Sequence, residues 1–203
     1  MEQKQIQIFK AFDLYDLSGI EIKDKGLKSA INLEPKLVLQ SHGRNVQRFV
    51  QSKINIIERL MNKFSVAGHR GRKHKLMMGH ASGKYSKNMK IILEAFKIVE
   101  KRTGKNPVQV LVTAIENAAP RDEITVIEYG GARYPQAVDV SPLRRVNVAL
   151  RNIVHGAGDK AFNKKKNIVQ SLAEEIILAS ENNGESFAVR KKNETEKQAD
   201  SAR

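Results

Sequence analysis

Residues 120–145 read PRDEITVIEYGGARYPQAVDVSPLRR, and this stretch interrupts an otherwise helical sequence. Two β-rich runs, Glu123–Tyr129 and Gln136–Val140, flank a turn that contains Gly130, Gly131 and Pro135. Glycine accepts the positive φ such turns require, and Val, Ile, Thr and Tyr suit an extended, pleated backbone. An isolated two-stranded ribbon is barely stable in water, so this one leans on a helix or on a partner. Taken alone, the stretch is either a packed core element or an arm reaching outward.

Helices are expected on both sides of it. Upstream, Asn106, Pro107 and Gln109 predict a helix start: Asn as cap, Pro in the first position, and Gln reaching back to the cap amide. Val108, Leu111, Val112, Ile115 and Ala118 form its buried face, and Pro120 ends it. Downstream, Ser141-Pro142 repeats the device for a helix over Pro142–His155, which Gly156 and Gly158 stop. Its Leu143, Val146, Leu150, Ile153 and Val154 face the core, whereas Arg144, Arg151 and His155 share the far face, with Arg145 beside them.

Further out, Asn45–Phe64 reads as a helix with Val46, Phe49, Val50, Ile57, Leu60, Met61 and Phe64 in one apolar stripe, and Arg48 and Arg59 on a solvated face. Ser86–Arg102 is a second helix, with Met89, Ile92, Leu93, Phe96 and Val99 inward, a charged outer row, and Gly104 as its cap. After the basic knot Lys160–Lys166, a fifth helix runs to about Asn182, and Ser186–Arg203 is a helix or a partly ordered basic tail. Residues 1–44 lack clean periodicity and read as an arm packed over the body.

The chain has 203 residues, 36 Lys+Arg against 22 Asp+Glu, a net charge of +14 and no cysteine. Disulfides, thiol catalysis and Cys-ligated metals are therefore excluded. No apolar run approaches the roughly 20 residues of a membrane span, and the N-terminus lacks a signal-peptide layout, so an intracellular protein is expected. Residues 36–90 hold thirteen Lys+Arg and one acid, Glu58, so most of the positive excess sits in about a quarter of the chain. Such asymmetry predicts a polyanionic partner.

Catalysis has no visible constellation: no Walker A pattern, no GxGxxG after a strand, no GxSxG and no HExxH. Glu174-Glu175 and Asp122-Glu123 read as solvated surface pairs, and His155 as a charge near a helix C-terminus or a phosphate contact. In the basic loop 66–85, His69, His74 and His80 lie five and six residues apart with no carboxylate nearby, which does not make a metal site. No metal or other cofactor is called for. With few outward aromatics for base stacking, recognition of folded RNA or duplex by shape and phosphate fits best.

NPVQVLVTAIENAAPRDE followed by YGGARYPQAVDVSPLRRVNVALRNI closely resembles the small-subunit ribosomal proteins of the S-seven family. INIIERLMNKF before it, and IVQSLAEEIILA with SFAVRKKNETEK after it, are similar to the same family, in its archaeal form. The resemblance implies a mainly α, single-domain bundle of about six helices with one protruding β-hairpin. The boundaries expected are an N-terminal arm over 1–44 and a helical domain over 45–203, holding the hairpin 122–140 and the loop 66–85. It further implies binding to the 3′ major domain of small-subunit rRNA, nucleation of head assembly, and a ribbon near the exit-site tRNA and the mRNA exit. Neighbouring head proteins, a cytoplasmic ribosome and no membrane complete the expectation. A helical DNA-binding or nucleoid protein is the alternative, but no helix–turn–helix pair supports it.

The rRNA-binding candidates fall in six groups. Arg44 closes the arm just before the first helix, which holds Arg48 and Lys53; Arg70, Arg72, Lys73, Lys75 and Lys84 belong to the loop, and Lys87 and Lys90 to the second helix. Arg144, Arg145 and Arg151 lie on the fourth helix, Lys164, Lys165 and Lys166 in the knot, and Arg190, Lys191 and Lys192 in the tail. By match to the family, Gly130, Gly131, Arg133 and Tyr134 form the ribbon tip, Arg144 and Arg145 the basic base of the ribbon, and Lys191 and Lys192 the basic start of the last helix. Where bacterial relatives carry basic residues on the first ribbon strand, this chain has Ile127 and Glu128.

Overall fold

The computed structural model describes residues 10–34, 47, 49–66 and 83–203, together with the backbone of 69–70 and 75–76. In chain order its elements are helix α1 (Ile56–Phe64), strands β1 (His69–Arg70) and β2 (Lys75–Leu76), and helices α2 (Tyr85–Thr103) and α3 (Pro107–Ala118). Strands β3 (Asp122–Tyr129) and β4 (Ala132–Asp139) follow, then helices α4 (Pro142–Ala161), α5 (Ile168–Ser180) and α6 (Phe187–Asp200). The fold is thus mainly helical with a β-hairpin, as expected. Within the 66–85 stretch, β1 and β2 pair as a short antiparallel hairpin.

Helix α5 packs against α2, α3 and α4, and α6 lies across α4 and the base of β3. Fully buried Phe64, Phe96, Leu60, Leu111, Ile115 and Leu150 fill the space between the helices. Residues 10–34 pack onto this core through buried Ala11, Tyr15, Leu17, Leu27, Ala30 and Ile31, with the Tyr15 ring edge-on to Phe96. The polar edge of α3 fixes this segment. Gln109 Oε1 accepts from the Glu21 amide at 2.9 Å and its Nε2 donates to the Glu21 carbonyl at 3.0 Å. Asn106 does cap α3 by accepting from Val108 N–H, but Gln109 holds the arm instead of reaching back to the cap.

The expected helix over Asn45–Phe64 is shorter. A 3-10 turn occupies Val50–Lys53, and α1 begins only at Ile56, because the buried Asn55 side chain accepts from Ile57 N–H and caps a new helix. Phe49 sits at φ 63°, in the left-handed region, which breaks the helical register. It is 70% exposed and so leaves the predicted apolar stripe. Arg59, read as solvated, is instead buried and donates to the Ala30 carbonyl and to Asn147 Oδ1. Asn45, Val46 and Arg48 lie outside the described residues.

The ribbon pairs from Asp122 opposite Asp139 to Tyr129 opposite Ala132. Gly130 at φ 58° and Gly131 at φ 80° form a two-residue hairpin turn of the type that demands positive φ twice. Pro135, expected in the turn, lies in β4 opposite Val126. Two glycines suffice to reverse the chain, and a two-stranded ribbon has only edge strands, where Pro is tolerated. Residues 125–136 are all exposed, so the distal half projects by roughly 17 Å at strand rise. Three ties hold its base: Arg121 N–H donates to Glu196 Oε1 at 2.9 Å, Arg203 pairs with Asp122 at 2.6 Å, and Arg144 grips Glu123.

Helix α4 does not stop at Gly156 and Gly158 but continues to Ala161. At Gly156 an added Cβ would stand 2.8 Å from the Glu175 carboxyl carbon and 2.8 Å from Phe187 Cβ. The glycine is there for close helix packing, which outweighs its poor helix propensity. Glu175, read as a solvated surface residue, is fully buried; its Oε1 accepts from Ser186 Oγ at 2.8 Å and from Ala188 N–H at 3.1 Å. Lys160 Nζ stands 2.7 Å from Glu175 Oε2, so one carboxylate joins α4, α5 and the start of α6.

Candidate nucleic-acid interface

A cationic groove of about 480 Å³ lies between the 3-10 turn, α1 and the first turns of α4. Lys63, Arg144 and Arg151 line it with Phe49, Ser52, Ser141 and Asn147, and none of its described lining residues is acidic. Burial holds the Lys63 ammonium below its ordinary range, and the charges of Arg151 and Arg59 push it further down. Mutual repulsion of this kind costs stability in the free protein and is relieved when an anion enters. Helix α4 begins at the groove wall with Pro142 in its first turn and no side-chain cap from Ser141. Its positive dipole end adds to the field of the three cations.

The two arginines that open α4 have different fates. Arg144 donates from Nε and Nη2 to the two Glu123 oxygens, each at 2.6 Å, while remaining largely exposed. That hydrogen bonding lowers the Glu123 carboxyl and raises the Arg144 guanidinium. Arg145 is only 11% exposed and is occupied inside the chain, donating to Asp24 Oδ2 at 2.8 Å and to the Pro120 carbonyl at 3.2 Å. Burial pushes the Asp24 carboxyl up, but hydrogen bonds from Arg145 and the Gly26 amide bring it below its ordinary value. Arg145 therefore ties the arm to the base of the ribbon.

The other candidates are distributed. Lys84, Lys87 and Lys90 are exposed at the start of α2, three residues apart, and Lys53 is exposed in the 3-10 turn. Lys164 and Lys165 are exposed after α4, while Lys166 pairs with Glu174 at 2.7 Å. Helix α4 is about 30 Å long at 1.5 Å per residue, so the knot and the groove lie at opposite ends of it. On α6, Arg190 is exposed, Lys191 pairs with Glu194, and both sit over the Phe187 ring at 5.7 and 5.9 Å. Lys192 is half-buried. Arg70 and Lys75 lie on β1 and β2, whereas Arg44, Arg48, Arg72 and Lys73 fall outside the described residues.

At the ribbon tip Arg133 is exposed, 3.7 Å from Glu128, and Tyr134 is 57% and Tyr129 82% exposed. The register places Tyr129, Ile127 and Tyr134 on one face of the ribbon. His155 is half-buried inside α4 rather than at its end, so it does not sit at the helix C-terminus. The structure also adds two residues that the sequence reading did not select. Lys63 was legible as the i+4 neighbour of Arg59 on α1; Phe49 was hidden by its helix-like spacing. No group of His, Asp or Glu suited to a metal ion occurs among the described residues, and no described helix is long and apolar enough to cross a membrane.

The sequence pattern of the ribosomal protein S7p/S5e family matches residues 31–203. The chain belongs to that family. It is 50% identical to the small ribosomal subunit protein uS7 of Nanoarchaeum equitans, over 96% of this chain and 98% of the relative. It is 48% identical to the uS7 of Archaeoglobus fulgidus over 95% of this chain and 94% of the relative. The Methanosphaera stadtmanae uS7 is 44% identical over 96% of this chain and 98% of the relative. As an S7p/S5e protein the chain is a structural, non-enzymatic constituent of the small ribosomal subunit.

Proposed function

We propose that this chain binds the 3′ major domain of small-subunit rRNA and nucleates assembly of the subunit head, with the helical body as anchor and the ribbon as positioning arm. The observation that carries the reading is the groove in which Lys63, Arg144 and Arg151 meet, with Glu123 engaging Arg144 beside it. Repelling cations crowded at a helix start suit a phosphodiester, and planar guanidinium groups match phosphate oxygens. Lys84, Lys87 and Lys90 on α2, and Lys164 and Lys165 beyond α4, extend the phosphate contacts over a long surface. Head proteins of the small subunit are its protein neighbours, in a cytoplasmic ribosome.

The ribbon carries a different task. Its distal half holds Glu128, Arg133 and two exposed tyrosines but little net charge, so it contributes weakly to phosphate neutralisation. Its reach suits contact with exit-site tRNA and mRNA, with Gly130, Gly131, Arg133 and Tyr134 at the tip. The test is binding of the full chain to a transcribed archaeal 3′ major-domain fragment over a salt series. Affinity is expected to fall by about 0.7–0.9 log units per phosphate contact per log unit of salt. A flat salt dependence refutes the reading. Sedimentation of lysate adds a second check, since recovery of the protein away from small subunits also contradicts it.

A further inference from the structure

Glu123 ties the first strand of the ribbon to the cations of the groove. Its two carboxylate oxygens accept from Arg144 Nε and Nη2, each at 2.6 Å, and the positive charge of Arg151 also lowers the carboxyl. Arg144 and Arg151 stand two turns apart on one face of α4, and both line the groove with Lys63. Glu123 thus presents to this face the same pair of acceptor oxygens that a phosphodiester brings. The clamp is open to exchange. The Arg144 side chain is 57% exposed and that of Glu123 30%, and an exposed ion pair shifts an equilibrium by no more than about 5-fold. Arg145, buried and held by both Asp24 and the Pro120 carbonyl, offers no such exchange. The other two ties of the ribbon base, from Arg121 N–H to Glu196 and from Arg203 to Asp122, lie on the α6 side, away from the groove.

We propose that Glu123 is an internal stand-in for RNA phosphate: a phosphodiester entering the groove displaces it from Arg144, so that RNA binding to the helical body frees the α4 side of the ribbon base. This rests on the rRNA-binding reading above and adds to it a coupling between the anchor and the arm. A phosphate in the groove meets Lys63 and Arg151 as well as Arg144, whereas Glu123 is hydrogen-bonded to Arg144 alone, so the phosphate prevails. Both anions on one guanidinium at once would set two like charges side by side. Once released, the ribbon stays fixed to α6 through the Glu196 and Asp122 ties and pivots on them. The coupling is reciprocal: RNA loosens the ribbon by the same factor by which a loosened ribbon raises RNA affinity.

Full-length Glu123→Gln, which loses the charged clamp, should bind a transcribed archaeal 3′ major-domain RNA about 2- to 5-fold more tightly than the parent. In an Arg144→Ala background the same change should leave affinity unaltered, because no guanidinium remains to be released. Equal tightening in both backgrounds makes Glu123 a general repulsive charge and overturns the exchange, as does parental affinity in Glu123→Gln. The ribbon gives a second readout. The chain has no cysteine, so Ala132→Cys at the exposed hairpin turn and Glu181→Cys, exposed beyond α5, carry a pair of nitroxide labels on the full-length protein. In the parent, pulsed electron paramagnetic resonance should show one dominant distance, and the RNA should raise the weight of displaced distances by about 2- to 5-fold. Glu123→Gln should show that raised weight without RNA and no further change with it. A distribution that RNA leaves unaltered in the parent overturns the coupling. So does one that RNA shifts equally in parent and Glu123→Gln, since that marks direct contact of the RNA with the ribbon. If the parent itself fails to bind the RNA, the underlying rRNA reading falls instead.

Discussion

Replacing Glu175 by Ala should destabilise the protein more than any comparable surface change. Its carboxylate is fully buried and serves Ser186 Oγ, Ala188 N–H and Lys160. Truncation leaves the Lys160 ammonium without its partner and removes the acceptor of two buried donors at the start of α6. Breaking one side of a buried ion pair costs about 3–5 kcal/mol, and unsatisfied buried donors account for much of that. For a chain of this length each kcal/mol lowers Tm by roughly 2–4 °C, so the expected drop is about 6–20 °C, read by circular dichroism at 222 nm. Glu175→Gln keeps an acceptor for Ser186 and Ala188 and loses only the charge, so it should fall between parent and Glu175→Ala. Trypsin should also cut Arg190–Lys192 sooner in Glu175→Ala, because α6 has lost the anchor of its first turn. A Tm within about 2 °C of the parent, with unchanged cleavage, refutes the assignment of Glu175 as the tie between α4, α5 and α6.

Four further outcomes follow from the same geometry. Gly156→Ala should cost about 1–3 kcal/mol by overpacking against Glu175 and Phe187, despite the better helix propensity of Ala, and thermal unfolding reads the sign. Glu123→Gln should release Arg144 from its bidentate clamp and steepen the salt dependence of RNA binding by up to one contact, roughly 0.7–0.9 in slope. Because hydrogen bonding from Arg144 lowers the Glu123 carboxyl, its stabilising contribution is present above the ordinary glutamate value of about 4.3 and is lost as the pH falls through the lowered value. The stability difference between parent and Glu123→Gln, measured by urea unfolding, should shrink over that window. Arg145→Ala should lower stability by about 1–3 kcal/mol while leaving the salt slope of RNA binding unchanged, since this guanidinium faces Asp24 and Pro120.

Periodicity and punctuation made most of the secondary structure legible. The α2, α3 and α5 stripes, the Asn106-Pro107 start and the Gly130-Gly131 turn are local devices, so they survive reading one segment at a time. The failures were tertiary overrides. Phe49 keeps helical spacing with Val46 and Val50 yet stands outside any helix, since Asn55 starts a new one. Gly156 looked like a stop signal and is a packing notch, because α5 and α6 approach too closely for a Cβ. Glu174 and Glu175 are neighbours in sequence but differ in environment, the first half-buried and paired with Lys166, the second sealed in the core.

By itself, the amino-acid order determined a basic, mainly helical chain with one glycine-turned ribbon, and its motif spacing carried the family. Only the tertiary structure decided which cations face a partner. Arg145 is neutralised by Asp24, 121 residues away, and Arg144 is half-claimed by Glu123, 21 residues away. Lys63 and Arg151 were brought together from two helices into one groove. Charge is written in the composition, but its availability depends on long-range pairing and burial, which local sequence does not encode.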